Sequence, residues 1–227
     1  MNRITHKARQ TVHRVSPSHI VRRYSTRRVI AKFATDLGFV YFGYLDQYDD
    51  EHRLLRGITA SKTHDDYHYT VGTYKSYDIA LTVRRDALTY PDKRIKDHFW
   101  TIMTIDLHSE SELPHIYMSH HKIRDELLAR YTTLRPVVLG TFATYPKKFI
   151  DNYELYAPLD RTIEVQQIVT PELAQLLMHY FAGMNLELVD DTLYLYVTEK
   201  HPTRALLERM LSTGVWLAQL LDQKPRS

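Results

Sequence analysis

The chain has 227 residues and a mass of 26.8 kDa, which fits one large domain or two small ones. Hydrophobic residues make up 44% and charged residues 25% of the sequence, which excludes a globally disordered chain and a coiled coil. The absence of cysteine excludes a disulfide framework, an iron–sulfur cluster and a thiol nucleophile. We find no apolar run long enough for a membrane-spanning helix and no apolar core of a secretory signal peptide, so we expect neither.

Basic residues are concentrated at the N-terminus, although the net charge is only +3. Nine of the 30 basic residues precede Asp36, which is the first of the 27 acidic residues, so the rest of the chain is net acidic. The nine are Arg3, Lys7, Arg9, Arg14, Arg22, Arg23, Arg27, Arg28 and Lys32. The first eight are our candidate anion-binding residues, and residues 1–32 are the predicted contact region for an anionic membrane surface or a nucleic acid. An acidic protein partner, docking on the chain's own acidic part, and a solvated tail are the alternatives.

The same N-terminal segment has the composition of a mitochondrial transit peptide, being acid-free and rich in Arg, Ser and Thr. The run Arg22-Arg23-Tyr24-Ser25 resembles a matrix cleavage site. Our main expectation is a cytoplasmic protein that is peripheral to the membrane, and the mitochondrial matrix of a eukaryote is the minor alternative.

Taken in chain order, the first predicted element is a short basic helix that ends near Val15, before Ser16-Pro17-Ser18. A second helix is predicted to begin with Thr26 as its cap and to end at Gly38, and a strand follows over residues 39–45. We therefore predict a basic N-terminal arm over residues 1–25 and a single globular domain over residues 26–227.

Period-two patterning dominates the next segment and predicts an antiparallel meander. Tyr74-Lys75-Ser76-Tyr77 is predicted to be a tight hairpin turn, and residues 86–97 are predicted to be a loop. The predicted strands are Leu55–Ser61, His68–Tyr74, Tyr77–Arg85, His98–Leu107 and His115–Ser119.

Mixed elements follow after His121. Thr170-Pro171 predicts a helix with a threonine cap and proline in its first turn. Residues 163–169 fit either a helix or a strand. The other predictions are a helix over 123–131, a strand over 136–142, a short helix from Tyr145-Pro146, a strand over 153–157, a hairpin over Asp190-Asp191 and a long helix over 202–222. Together they predict an α+β fold in which helices flank an antiparallel sheet.

One part of this pattern resembles a known family. Phe149 precedes the strand Tyr153-Glu154-Leu155-Tyr156, a helix opens at Thr170-Pro171, and the aliphatic strand Leu193–Tyr196 closes a hairpin. Over residues 149–197 this order resembles an uncharacterised bacterial family whose members often carry N-terminal membrane anchors. The resemblance implies the fold, and it implies no catalytic residues.

Histidine is frequent, with 13 residues, and His64-Asp65-Asp66-Tyr67-His68 is the densest cluster. His64 and His68 could bind one metal ion as an i,i+4 pair if the segment turns. Asp106 and His108 are predicted on one face at the end of a strand. The candidate metal site is therefore His64, His68, Asp106 and His108, and the alternative is a set of solvated histidines at strand ends.

The sequence lacks the common motifs for nucleophilic catalysis and for nucleotide cofactors. No serine stands in a nucleophile elbow, and there is no glycine-rich phosphate loop or dinucleotide fingerprint, so we predict no cofactor. The 17 tyrosines favour half-exposed strand faces, and Tyr67, Tyr69, Tyr74 and Tyr77 around one hairpin could form a contact surface for a protein partner.

These patterns favour a non-enzymatic cytoplasmic binding or scaffold module. We expect its basic N-terminus to attract the protein to an anionic surface. A metal-dependent hydrolase that uses the His and Asp residues of the sheet is one alternative. A nucleic-acid-binding protein is the other.

Overall fold

Nine antiparallel strands and five α-helices build the part of the chain that the computed structural model describes, which is residues 17–44, 57, 64–89, 95–108, 113–120, 133–140, 143–199 and 201–223. The strands are β1 Val40–Tyr44, β2 Asp65–Tyr74, β3 Tyr77–Thr89, β4 Ile95–Asp106, β5 Ile116–His120, β6 Arg135–Pro136, β7 Tyr153–Ala157, β8 Asn185–Val189 and β9 Thr192–Val197. The helices are α1 Pro17–Leu37, α2 Lys147–Asn152, α3 Thr162–Ile168, α4 Pro171–Tyr180 and α5 Arg204–Asp222. The predicted α+β fold class is confirmed.

All nine strands lie in one sheet with the order β1-β2-β3-β4-β9-β8-β5-β7-β6. Strands β1 to β4 follow one another as the predicted meander, whereas the hairpin β8–β9 inserts between β4 and β5. The sheet therefore joins the N-terminal meander to the C-terminal elements through main-chain pairing rather than through a linker.

The helices cover one face of the sheet, which we call the helix-covered face. Strand alternation points every second side chain of a strand to this face. A single row of directly paired, buried apolar residues crosses it: Leu81, Met103, Leu195, Leu186, Met118 and Leu155. Each such side chain contributes about 1.5–3 kcal/mol when it is fully buried, so this row and the helices above it form the main core.

The opposite face, which we call the second face, is more polar. The neighbouring row of paired residues crosses it: Ala80, Thr104, Tyr194, Glu187, Tyr117 and Tyr156. All six are buried. A second, smaller apolar cluster of mainly aromatic residues therefore lies on this face.

The predicted turns and caps follow local sequence chemistry. Lys75 and Ser76 have φ of 49° and 69° between the paired Tyr74 and Tyr77, so the predicted hairpin is confirmed. Asp190-Asp191 forms the second predicted hairpin with φ of 48° and 60°. The Thr170 side chain accepts a hydrogen bond from the Leu173 N–H, as expected for a helix cap.

Several predicted boundaries need correction. Thr26 caps no helix, because α1 runs without a break from Pro17 to Leu37 and buries Thr26 within it. The predicted loop over 86–97 is mostly strand, since β3 and β4 pair as far as Thr89 and Ile95. Of the predicted strand over 136–142, Pro136 lies in β6, residues 137–140 are not strand, and residues 141–142 lie outside the described residues. The ambiguous segment 163–169 forms most of the helix α3.

The N-terminal helix ends as predicted. Gly38 has a φ of +74°, and the Phe39 N–H donates to the Ala34 carbonyl at 2.8 Å. The boundary between arm and domain at residue 25 lies inside α1, and that division stays a prediction. The predicted helix up to Val15, strand over 55–61 and helix over 123–131 lie outside the described residues, apart from Gly57.

Candidate functional site

One polar feature of the second face is an ion pair between adjacent strands. Arg84 on β3 pairs directly with Asp66 on β2. The guanidinium of Arg84 donates from Nε and Nη2 to the two carboxylate oxygens of Asp66, each at 2.7 Å. Burial alone would lower the pKa of Arg84, but the hydrogen bond and the charge of Asp66 raise it above its ordinary value. The guanidinium of Arg84 therefore stays charged inside the protein.

A second polar group centres on Glu187 of β8, whose side chain is fully buried. Its carboxylate accepts a hydrogen bond from the Tyr196 hydroxyl at 2.5 Å and contacts His115 Nε2 at 2.7 Å. Burial, together with the charge and hydrogen bond of Glu187, raises the pKa of Tyr196 well above its usual value. The phenol therefore remains a hydrogen-bond donor at neutral pH.

Gly57 lies directly over this second group and is itself buried. A Cβ atom at residue 57 would come within 1.9 Å of the Tyr196 hydroxyl and 2.8 Å of Glu187 Oε2. Only a glycine fits this approach, so the backbone at residue 57 covers the carboxylate. Of the three side chains in the group, only His115 is partly exposed. The arrangement holds the second face together and leaves little access for a substrate to Glu187.

The candidate metal residues are divided between two ends of the sheet. His64 precedes β2 and lies 3.9 Å from Asp66, whereas Asp106 ends β4 beside Thr192. Asp65 pairs with Arg85 and Ile79 pairs with Ile105. The six residue steps from Ile79 to Arg85 along β3 span about 20 Å at strand rise. His64 and Asp106 are thus not brought together.

The other two candidate ligands have neighbours of their own. His68 lies in a bulge of β2 with φ of 62°, and its Nδ1 is 2.8 Å from the Tyr41 hydroxyl. The His108 ring packs on Tyr77, with 4.6 Å between the ring centroids. Across the described parts of the chain, no three His, Asp or Glu side chains are grouped so that they could hold a metal ion.

The tyrosines of the β2–β3 hairpin mostly make internal contacts. Tyr69 and Tyr77 are buried, and the Tyr77 hydroxyl donates to Asp222 at the end of α5 at 2.6 Å. Burial and the hydrogen bond and charge of Asp222 raise the pKa of Tyr77 to about 12. Tyr67 and Tyr74 are half-buried, and a protein partner at this hairpin stays a prediction.

The candidate anion-binding residues within the described side chains lie on α1. Arg27, Arg28 and Lys32 are exposed, and we call them the basic face of α1. None of the three forms an ion pair with a residue that the structure describes. Arg22 and Arg23 lie in the first half of the same helix, and Arg3, Lys7, Arg9 and Arg14 lie outside the described residues.

The opposite side of α1 is anchored firmly. Ile30 and Phe33 are at most 1% exposed and pack in the main core. The Thr26 hydroxyl lies 2.5 Å from Nδ1 of His201, just before α5, and Asp36 forms an ion pair with Arg204 of α5. The basic face is therefore held in a fixed orientation relative to the sheet and α5.

Neither the ion pair on the second face nor the Glu187 group was among the predicted sites. Strand alternation places Arg84 on the face of Ala80 and opposite to Leu81, so a buried partner for Arg84 could have been sought there. No local signal links Glu187 with His115, because the two are 72 residues apart in the chain.

No helix among the described residues is long and apolar enough to cross a membrane. No protein-family model matches the chain, and no curated protein matches it. The resemblance that we draw over residues 149–197 therefore stays a prediction. Among solved structures, the chain is similar to the mycobacterial trehalose monomycolate transport factor A, TtfA, with a TM-score of 0.63 and 11% sequence identity over 89% of this chain and 97% of that chain. At this identity the likeness shows that the two chains share a fold.

Proposed function

We propose that the protein is a non-enzymatic, cytoplasmic binding or scaffold module that associates with an anionic membrane surface through the basic face of α1. The observation that carries the proposal is the exposure of Arg27, Arg28 and Lys32 on a helix whose other side is fixed to the core. The helix backbone that carries these cations is already ordered, so contact with a flat anionic surface costs no further backbone entropy.

Two further observations support this proposal. The three side chains make no ion pair with the described residues, which favours an external anion over docking on the chain's own acidic part. The shared fold favours a role in binding, because the similar structure is named a transport factor and not an enzyme. The proposal extends to the arginines and lysines that precede α1, which would add to the same attraction.

Vesicle sedimentation of the full chain tests the proposal. Arg28→Gln/Lys32→Gln removes two charges from the basic face. Lys147→Gln/Lys148→Gln removes two exposed charges from α2, which packs beside β7 at the opposite edge of the sheet from β1 and β2. A basic residue near an anionic bilayer contributes about 1 kcal/mol. The first variant should therefore bind phosphatidylglycerol vesicles about thirtyfold more weakly, whereas the α2 variant should bind like the unmodified protein.

Equal losses of vesicle binding in the two variants would contradict the assignment of the binding surface to α1. Such a result would indicate a general effect of net charge. The same variants in a gel shift with generic duplex DNA address the nucleic-acid alternative. If the protein binds DNA at moderate salt and does not bind anionic vesicles, the membrane proposal is wrong and the nucleic-acid alternative replaces it.

A further inference from the structure

A groove of about 410 Å³ runs between α1 and α5. Its floor is apolar and is formed by Phe33 and Leu37 of α1 and Leu211 of α5. Phe33 and Leu211 are almost fully buried, and Leu37 is half-buried. The groove lies within the size range of small-molecule sites in proteins, and its apolar floor suits a hydrocarbon chain.

Two arginines lie at the rim of the groove, in different environments. Arg204 is neutralised there by Asp36 and by Glu208, with 2.7 Å between Arg204 Nε and Glu208 Oε1. Arg209 also lines the groove, is exposed and forms no ion pair with any residue that the structure describes. Arg209 can therefore bind an anionic group at the mouth of the groove.

The groove is continuous with the basic face of α1. Arg28, Lys32 and Asp36 follow one another at intervals of four residues, so they lie along one stripe of the helix. Asp36 contacts Arg204 of α5, which places the end of this stripe at the groove. The surface that would meet anionic headgroups thus leads directly to an apolar groove with a cation at its rim.

We infer that this groove takes one acyl chain of an anionic phospholipid, with Arg209 binding the phosphate of its headgroup. The inference rests on the proposed function and names the ligand at the membrane. An acyl chain fits the apolar floor. Arg209, which has no ion pair with a described residue, favours a headgroup with a net negative charge over a zwitterionic one, in which the choline cation offsets the phosphate.

Titration with monomeric short-chain lipids separates groove binding from attraction to a surface. Dihexanoyl-phosphatidylglycerol below its micelle concentration should bind and shift the methyl NMR signals of Leu37 and Leu211. The zwitterionic dihexanoyl-phosphatidylcholine and the acyl-free headgroup glycerophosphoglycerol should bind at least tenfold more weakly. Equal binding of the zwitterionic lipid, or of the headgroup alone, would overturn the inference.

Ser212→Trp places a large side chain in the groove from an exposed position, and Thr144→Trp adds the same side chain at an exposed position outside it. Ser212→Trp should weaken binding of the monomeric anionic lipid at least tenfold, and Thr144→Trp should leave it within twofold. Arg209→Gln should lower binding of the anionic lipid to the level of the zwitterionic one. Unchanged binding of the monomeric anionic lipid in both Ser212→Trp and Arg209→Gln would contradict the inference.

Vesicle sedimentation of the same proteins keeps the two proposals distinguishable. If no monomeric lipid binds and the binding of the protein to anionic vesicles still depends on Arg28 and Lys32, the groove inference fails and the proposed function stands. If the monomeric anionic lipid binds and vesicles are not retained, the groove inference stands and the proposed function fails.

Discussion

Replacement of Arg84 by methionine should be among the most damaging single changes on the second face. The substitution keeps an unbranched apolar side chain and removes the guanidinium that donates twice to Asp66 at 2.7 Å. Asp66 is only 8% exposed, so its carboxylate would remain inside the protein without this cation. Removal of one partner of a buried ion pair costs about 3–5 kcal/mol. For a domain of this size the loss corresponds to a fall in melting temperature of about 6–20 °C.

The neighbouring arginine provides a matched control. Arg85 points to the other side of β3 and pairs with the half-exposed Asp65 and the exposed Asp97, at 3.5 and 3.1 Å. Such exposed pairs contribute about 0–1 kcal/mol, so Arg85→Met should cost much less than Arg84→Met. The measurement is the free energy of unfolding from urea titrations followed by circular dichroism.

The double variant Arg84→Met/Asp66→Leu separates the ion pair from packing. It leaves no unpaired charge, so it should be more stable than Arg84→Met alone. The reasoning on this buried pair is refuted if Arg84→Met lowers the free energy of unfolding no more than Arg85→Met does. It is also refuted if the double variant loses as much free energy of unfolding as the two single variants lose together.

Three predictions concern the main core. Leu81→Asp places an unpaired charge on the helix-covered face at a residue with 0% exposure and should unfold the protein; a soluble variant with an unchanged melting temperature would contradict the assignment of that face. Leu211→Ala should cost about 2–5 kcal/mol in urea titrations, with the exposed Ser212→Ala as a control, and a loss below about 0.5 kcal/mol would argue that Leu211 faces water. Gly214→Ala should also destabilise the protein, because its Cβ would lie 2.5 Å from Cδ1 of Ile105 and 2.7 Å from Cδ1 of Leu195, and both side chains are 0% exposed and packed in the core. Overpacking costs about 1–3 kcal/mol and outweighs a gain in helix propensity of about 1 kcal/mol, so a rise in melting temperature would contradict this prediction.

Features that depend on neighbours in sequence were predictable. The hairpins at Lys75-Ser76 and Asp190-Asp191, the cap at Thr170 and the helix end at Gly38 each depend on the conformational preferences of a few consecutive residues. The helix-covered face of β3 and β4 also followed from alternation, because the burial of every second side chain leaves a period of two in the sequence.

Boundaries set by distant contacts were not predictable. Thr26 has the chemistry of a helix cap, but its hydroxyl lies beside His201, 175 residues away, and α1 continues through it to Pro17. Likewise, the charged residues after Arg85 indicate a loop, whereas pairing of β3 with β4 extends the strands to Thr89 and Ile95. In both cases tertiary contacts outweighed a weak local preference.

The sequence by itself determined the α+β class, the antiparallel pairing of adjacent strands and the cationic character of the N-terminus, because composition and periodicity carry that information locally. Only the tertiary structure decided which polar residues meet. It separated His64 from Asp106 along the strands and brought Asp66 to Arg84 and Glu187 to His115 across them. It also placed the basic face of α1 beside the groove at α5, since the packing angle of two helices depends on side chains from both and on the sheet beneath them.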